Sequence, residues 1–172
     1  MNSIILNPQP LNKQSFNQFG DVVEIQNHDY NIINNGYAQK YPNLASIDTS
    51  EENGETAIHI FLAKKRNFPL KIDMLERHPF FSQCFIPRGK KEFLVVVAPP
   101  SKIPDIEKIT AFISNGEQGV NFSRGVWHFP LISLDDDAQF ITIDRKYNPK
   151  IDKIMQCDIF ELSEFNISLE AN

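Results

Sequence analysis

Two cysteines in 172 residues, Cys84 and Cys157, are too few and too far apart for a disulfide framework or a zinc knuckle. Both sit in apolar surroundings, which predicts small buried thiols and a reducing compartment. Long apolar runs are also absent. No stretch approaches the roughly 20 residues that cross a bilayer, and Met1 to Leu11 lacks the basic start and apolar core of an export signal. A cytoplasmic protein with no membrane partner is the expectation. Basic clusters are missing too: 17 Lys and Arg are scattered among 22 Asp and Glu, for a net charge of −5. That balance excludes the phosphate-neutralising surface a nucleic-acid partner requires. There is no internal repeat and no low-complexity linker. Gly116-Glu117-Gln118-Gly119 is not a phosphate loop, since no Lys-Ser/Thr follows it, and reads as a turn.

What the chain does have is short β-prone runs. Residues 21–25, 56–61, 70–76, 83–86, 92–98, 110–113, 139–143 and 157–162 are rich in β-branched and aromatic side chains and separated by Pro, Gly or Asn. This pattern predicts a mainly β barrel or sandwich, with residues 1–172 forming a single domain large enough to bury its own core. Helix is limited to short pieces. Asn12 and Gly20 bracket one candidate helix, and Pro104 to Lys108 another turn. Arg88 to Lys91 reads as a hairpin turn, Asn34-Asn35-Gly36 as a second turn, and the polar tail from Glu161 to Asn172 as a segment that frays.

The polar residues near these strands suggest a site. Glu76 and His78 stand two apart in Leu75-Glu76-Arg77-His78-Pro79, so an extended strand points both to one face. A turn over Pro79 to Ser82 predicts a hairpin that returns Gln83 to that face, with His128 arriving from a later strand in Gly125-Val126-Trp127-His128. His59 reads as a packed strand residue, His28 as surface and Trp127 as barrel packing. Arg66 and Arg124 lie just outside strands, where their planar forks suit a carboxylate ligand.

These segments, with Gln83-Cys84-Phe85-Ile86-Pro87, Val95-Val96-Val97-Ala98 and Asn115-Gly116-Glu117-Gln118-Gly119-Val120-Asn121, resemble the bacterial ureidoglycolate lyase family. The similarity runs from about Ser15 to Arg145. It implies a cupin-like β-barrel (double-stranded β-helix), a homodimer, and cleavage of (S)-ureidoglycolate to glyoxylate and urea in allantoin (purine) catabolism. It also resembles the general cupin pattern His-x-His-x4-Glu followed by a later His, with Glu76 in place of the first His and Gln83 in place of the Glu.

The candidate catalytic residues are Glu76, His78, Gln83 and His128, with the family match bearing on both histidines; the candidate substrate-binding residues are Arg66, Arg124 and Asn121, and Asn35 in a loop that also resembles the family. Ureidoglycolate is a carbinolamine, so breaking its carbon–nitrogen bond needs a base for the hydroxyl proton and an acid for the departing urea nitrogen. Either histidine fits the base. Glu76 fits as the acid or as the group that orients an imidazole, and Gln83 as a contact to the ureido or hydroxyl group. His78, His128 and Glu76 could instead hold a divalent metal, for which imidazole suits nickel, zinc or iron better than magnesium. Two other readings stay open: a metal-dependent cupin enzyme of another reaction class, and a non-catalytic module that binds a small acid.

Overall fold

A computed structural model describes residues 3–146 and 157–171. In chain order its strands begin with β1 (Ile4–Leu6), β2 (Gln9–Pro10), β3 (Gly20–Val23), β4 (Asn31–Ile33) and β5 (Ala38–Lys40). There follow β6 (Thr56–Ala63), β7 (Leu70–Lys71), β8 (Met74–Arg77), β9 (Gln83–Pro87), β10 (Phe93–Ala98) and β11 (Thr110–Ile113). The last are β12 (Gly119–Phe122), β13 (Trp127–His128), β14 (Ile132–Ser133), β15 (Ala138–Arg145), β16 (Asp158–Glu161) and β17 (Ile167–Leu169). The one α-helix among the described residues, α1, is a single turn at Lys13–Phe16, capped by Asn12, whose Oδ1 accepts from Ser15 N at 3.0 Å. It ends well before Gly20, which already opens β3. There φ is +140°, and a Cβ would lie 1.9 Å from Asn121 O, so only glycine lets the two strands approach. No helix among the described residues is long and apolar enough to cross a membrane.

Two sheets form the cupin-like barrel. One runs β3-β12-β9-β15-β6; the other runs β16-β8-β13-β10-β11-β2, with β14 also pairing β10. Strand β10 is buried along its whole length, and its alternation explains why. Phe93, Val95 and Val97 face the barrel interior, where they pack with Phe85, Phe112, Val120, Phe122 and Phe140. Leu94, Val96 and Ala98 face the other way, into a second core with Leu75, Trp127, Ile132 and the small sheet β1-β17-β7. A sheet covered on both faces reads as a continuous apolar run rather than an alternating one. Helix α1 packs Phe16 into the barrel core, with the Phe16 and Phe112 rings edge to face at 5.3 Å.

Three expectations fail here. The turns after Arg77 and after Pro87 do not make hairpins, because both edges of β9 are taken by β12 and β15 and the chain crosses between sheets at each turn. The tail does not fray over the described residues. Ile167 and Leu169 are fully buried, β17 runs parallel to β1, and only residue 172 lies outside the described range. Finally, Cys157 is exposed rather than packed, while Cys84 is buried as expected.

The tail strand yields a direct test. Leu169→Ala deletes a fully buried side chain from the second core and should cost about 2 to 5 kcal/mol in urea denaturation. A loss below about 0.5 kcal/mol, the range of surface substitutions, would mean that β17 is not integral to the fold.

Candidate active site

Strand register decides which side chains meet inside the barrel. His128 on β13 is the direct partner of Glu76 on β8, so both point to the same face. Glu76 and His78, two apart, share that face by pleat. The outcome is a three-residue cluster whose ligand atoms all lie within 4.8 Å of one another. Aromatic rings flank it: Phe81 stacks on His78 at 4.4 Å and Phe122 on His128 at 4.6 Å. The intervening residues face the second core. Leu75 and Trp127 pack there, and Arg77 lies 4.7 Å over the Trp127 ring while pairing with Asp158 at 2.7 Å.

The local bonding fixes the state of His128. Its Nδ1 lies 3.0 Å from the carbonyl of Val126, and a carbonyl only accepts, so Nδ1 carries the proton and Nε2 presents a lone pair when the ring is neutral. That Nε2 is buried without a hydrogen-bond partner among the described residues. Glu76 Oε1 stands 3.6 Å away, closer to an ion-pair contact than to a direct hydrogen bond. Burial is the largest influence on the Glu76 carboxyl and works to raise it. The His128 imidazole, the charge of His78 and the Cys157 thiol together outweigh it and hold the group below its ordinary range. Glu76 is therefore ionised at neutral pH.

Two imidazoles and a carboxylate at this spacing also suit a divalent transition ion. The donor set fits: a buried nitrogen lone pair, already oriented by its Nδ1 bond, is what a histidine ligand needs.

The other candidates are distributed differently. Gln83 is buried on the facing wall, in register with Phe122. Asn121 points outward, because its neighbours Val120 and Phe122 face in. Its amide binds Asp21 Oδ2 at 2.9 Å and Ser46 O at 3.0 Å, pinning the segment that crosses the outside of the sheet. Arg66 lies over the Phe129 ring at 5.9 Å, and that ring belongs to the second core, away from His128. Asn35 sits at the tip of the exposed β4–β5 hairpin with φ of 54°. Arg124 pairs with Glu51 at 2.6 Å and Asp48 at 3.7 Å at the barrel rim, next to Gly125, whose N–H donates to His78 O. Sequence reasoning missed Cys157, Thr142 and Asp144. For the last two the signal was present: both share the parity of buried Phe140 along β15.

A β barrel with an ionised carboxylate and two imidazoles on one inner wall defines a class, a small-molecule site built for proton transfer or for a divalent ion. The chain belongs to the ureidoglycolate lyase family, whose model matches residues 3–166. It is 46% identical over 141 residues to the ureidoglycolate lyase of Azotobacter vinelandii, spanning 82% of this chain and 85% of that protein. The ureidoglycolate lyase of Pseudomonas paraeruginosa is also 46% identical, over 137 residues, or 80% of this chain and 81% of that protein. Among solved structures, RmlC from Streptococcus suis in complex with dTDP-D-xylose is similar with a TM-score of 0.46 and 10% identity. That likeness covers 88% of this chain and 76% of the other.

Cys157 reports on this wall. Its Sγ donates to Glu76 Oε2 at 3.6 Å, and desolvation first, then the Glu76 charge, push the thiol up to about 12. At pH 7 iodoacetamide should label it on the order of 100-fold more slowly than free cysteine, since the thiolate is the nucleophile. Glu76→Gln should speed the labelling. Equal rates in the two proteins, followed by mass spectrometry, would separate the thiol from Glu76.

Proposed function

We propose that this protein cleaves ureidoglycolate to glyoxylate and urea by elimination, as an enzyme of allantoin degradation in the cytoplasm. Family membership supports the substrate, and the two free thiols support a reducing compartment. The observation that carries the mechanism is the fixed tautomer of His128, with its buried Nε2 lone pair turned toward ionised Glu76. His128 Nε2 takes the hydroxyl proton as the carbon–oxygen double bond forms and the carbon–nitrogen bond breaks. Glu76 stabilises the imidazolium that results, and His78 delivers a proton to the departing urea nitrogen. Arg124, at the rim beside Gly125, receives the substrate carboxylate in exchange for part of its contact with Glu51 and Asp48.

A second reading rests on the three-donor cluster. Glu76, His78 and His128 would hold a divalent transition ion, which when bound supplies Lewis acidity toward the substrate hydroxyl. One lone pair on His128 Nε2 serves a proton or an ion, not both. The assay that separates these readings measures glyoxylate, urea and ammonia before and after exhaustive chelation. Equimolar glyoxylate and urea are expected, surviving chelation, with His128→Asn lowering kcat about 10²- to 10⁴-fold as for a lost general base. Ammonia in place of urea would overturn the elimination. Activity lost on chelation and restored by nickel would favour the ion.

The same chain forms a homodimer in this proposal. β6 ends its sheet, and its outward residues Ile58, Ile60 and Leu62 are 72%, 56% and 63% exposed. An edge with no partner strand among the described residues and an apolar strip is a place for a second copy. Sedimentation should give about 40 kDa for the native protein, twice 19.8 kDa, and Ile60→Arg should give monomer. A native monomer at micromolar concentration would remove the dimer.

A further inference from the structure

The wall facing the Glu76 cluster carries a second polar group. On β15 the inward residues are Phe140, Thr142 and Asp144, and on β6, in register with them, Phe61, His59 and Ala57. Gln83 and Phe85 face inward on β9. Asp144 joins them: its Oδ1 lies 3.0 Å from His59 Nε2, and its Oδ2 accepts from Gln83 Nε2 at 3.0 Å. Each carboxylate oxygen therefore has one partner. Both Gln83 and Asp144 are buried.

This arrangement sets the polarity of Gln83. An amide can present its nitrogen or its oxygen in a given direction, and a carboxylate, which only accepts when ionised, forces the NH₂ toward itself. The Gln83 carbonyl oxygen is then left to face elsewhere in the interior. Gln83 pairs with Phe122, whose ring stacks on His128, so the amide stands one ring from the proposed base. Thr142 lies in register with both His59 and Phe85. It is fully buried, and its hydroxyl has no hydrogen-bond partner among the described residues. His128 Nε2 on the opposite wall is orphaned in the same way. Native proteins satisfy such groups with bound water or ligand.

We propose that this second wall is the subsite for the ureido group, resting on the lyase reading above. Gln83 accepts from a ureido N–H and the Thr142 hydroxyl donates to the ureido carbonyl. Asp144 is a positioning residue that locks Gln83 as an acceptor, and His59 holds Asp144 in place. A ureide offers that complement, N–H donors beside a carbonyl acceptor. The glyoxylate half of the substrate has no N–H to offer.

The two products separate this from a general packing role. Steady-state kinetics with ureidoglycolate, and inhibition by urea and by glyoxylate, are measured for the wild type, Asp144→Asn, Thr142→Val, His59→Gln and His59→Leu. Asp144→Asn can turn the Gln83 amide around, so its KM and its inhibition constant for urea should rise at least about tenfold, the equivalent of a lost hydrogen bond. Glyoxylate inhibition should move less than about twofold, since its contacts are untouched. Thr142→Val, which keeps the side-chain shape, should do the same and decides the matter if Asp144→Asn does not fold. His59→Gln, which still donates to Asp144, should stay near the wild type, whereas His59→Leu should follow Asp144→Asn. Unchanged urea inhibition in Thr142→Val and Asp144→Asn, or an equal loss for glyoxylate, would overturn the subsite while leaving the lyase reading intact. A wild-type protein with no activity on ureidoglycolate would instead sink the lyase reading.

Discussion

The pairing of β8 with β13 is the constraint on which the site rests. With Glu76 opposite His128, the parity of both strands sends the carboxylate and the imidazole into the barrel and Leu75 and Trp127 into the second core. A slip of one residue would reverse every one of these positions, placing charge among Leu75's apolar neighbours and Trp127 in the site. The penalty on both faces is what makes the register unique. Arg77 reinforces it from outside: its guanidinium lies over the Trp127 ring, pairs with Asp158 on β16 and donates to the Ser101 carbonyl, tying three adjacent strands of the sheet to a neighbouring loop.

The two cores explain how a chain of 172 residues affords a buried polar site. One wall of the barrel is the β8-β13-β10 sheet, and that sheet is itself backed by the β1-β17-β7 layer. Wedged between two apolar layers, β10 cannot shift without exposing six buried residues, Phe93 to Ala98. The strands beside it are held at fixed spacing as a result. Preorganisation of this kind comes from side chains far from the chemistry, and it keeps His128 and Glu76 at a set separation.

Much of this was legible in the sequence, and the rest was hidden for identifiable reasons. Period-two parity put Glu76 and His78 on one face, and the apolar run over 92–98 marked the strand that became β10. The β9 neighbourhood misled, because a proline-containing turn between two strands looks alike whether the strands pair or part into different sheets. Which edge β9 uses is settled by β12 and β15, strands 30 to 60 positions later. The tail strand was missed because its polar composition, in Glu164-Phe165-Asn166-Ile167-Ser168-Leu169, conceals two inward residues two apart. Asn121 was misplaced for the opposite reason. Its motif suggested a site residue, whereas parity with Val120 and Phe122 turns it outward.

The distribution of charge across the barrel follows from burial. A carboxylate held inside an apolar barrel loses hydration that only close donors or cations can replace. Glu76 finds them in His78 and the Cys157 thiol, and Asp144 finds them in His59 and Gln83. Each wall thus compensates its own carboxylate, and the His128 Nε2 lone pair on one side and the Thr142 hydroxyl on the other are neutral groups with no hydrogen-bond partner among the described residues. A neutral orphan costs far less to bury than a charged one and exchanges water for a ligand readily. Among the described residues the barrel keeps these charges satisfied while presenting the His128 Nε2 lone pair and the Thr142 hydroxyl to whatever small molecule enters.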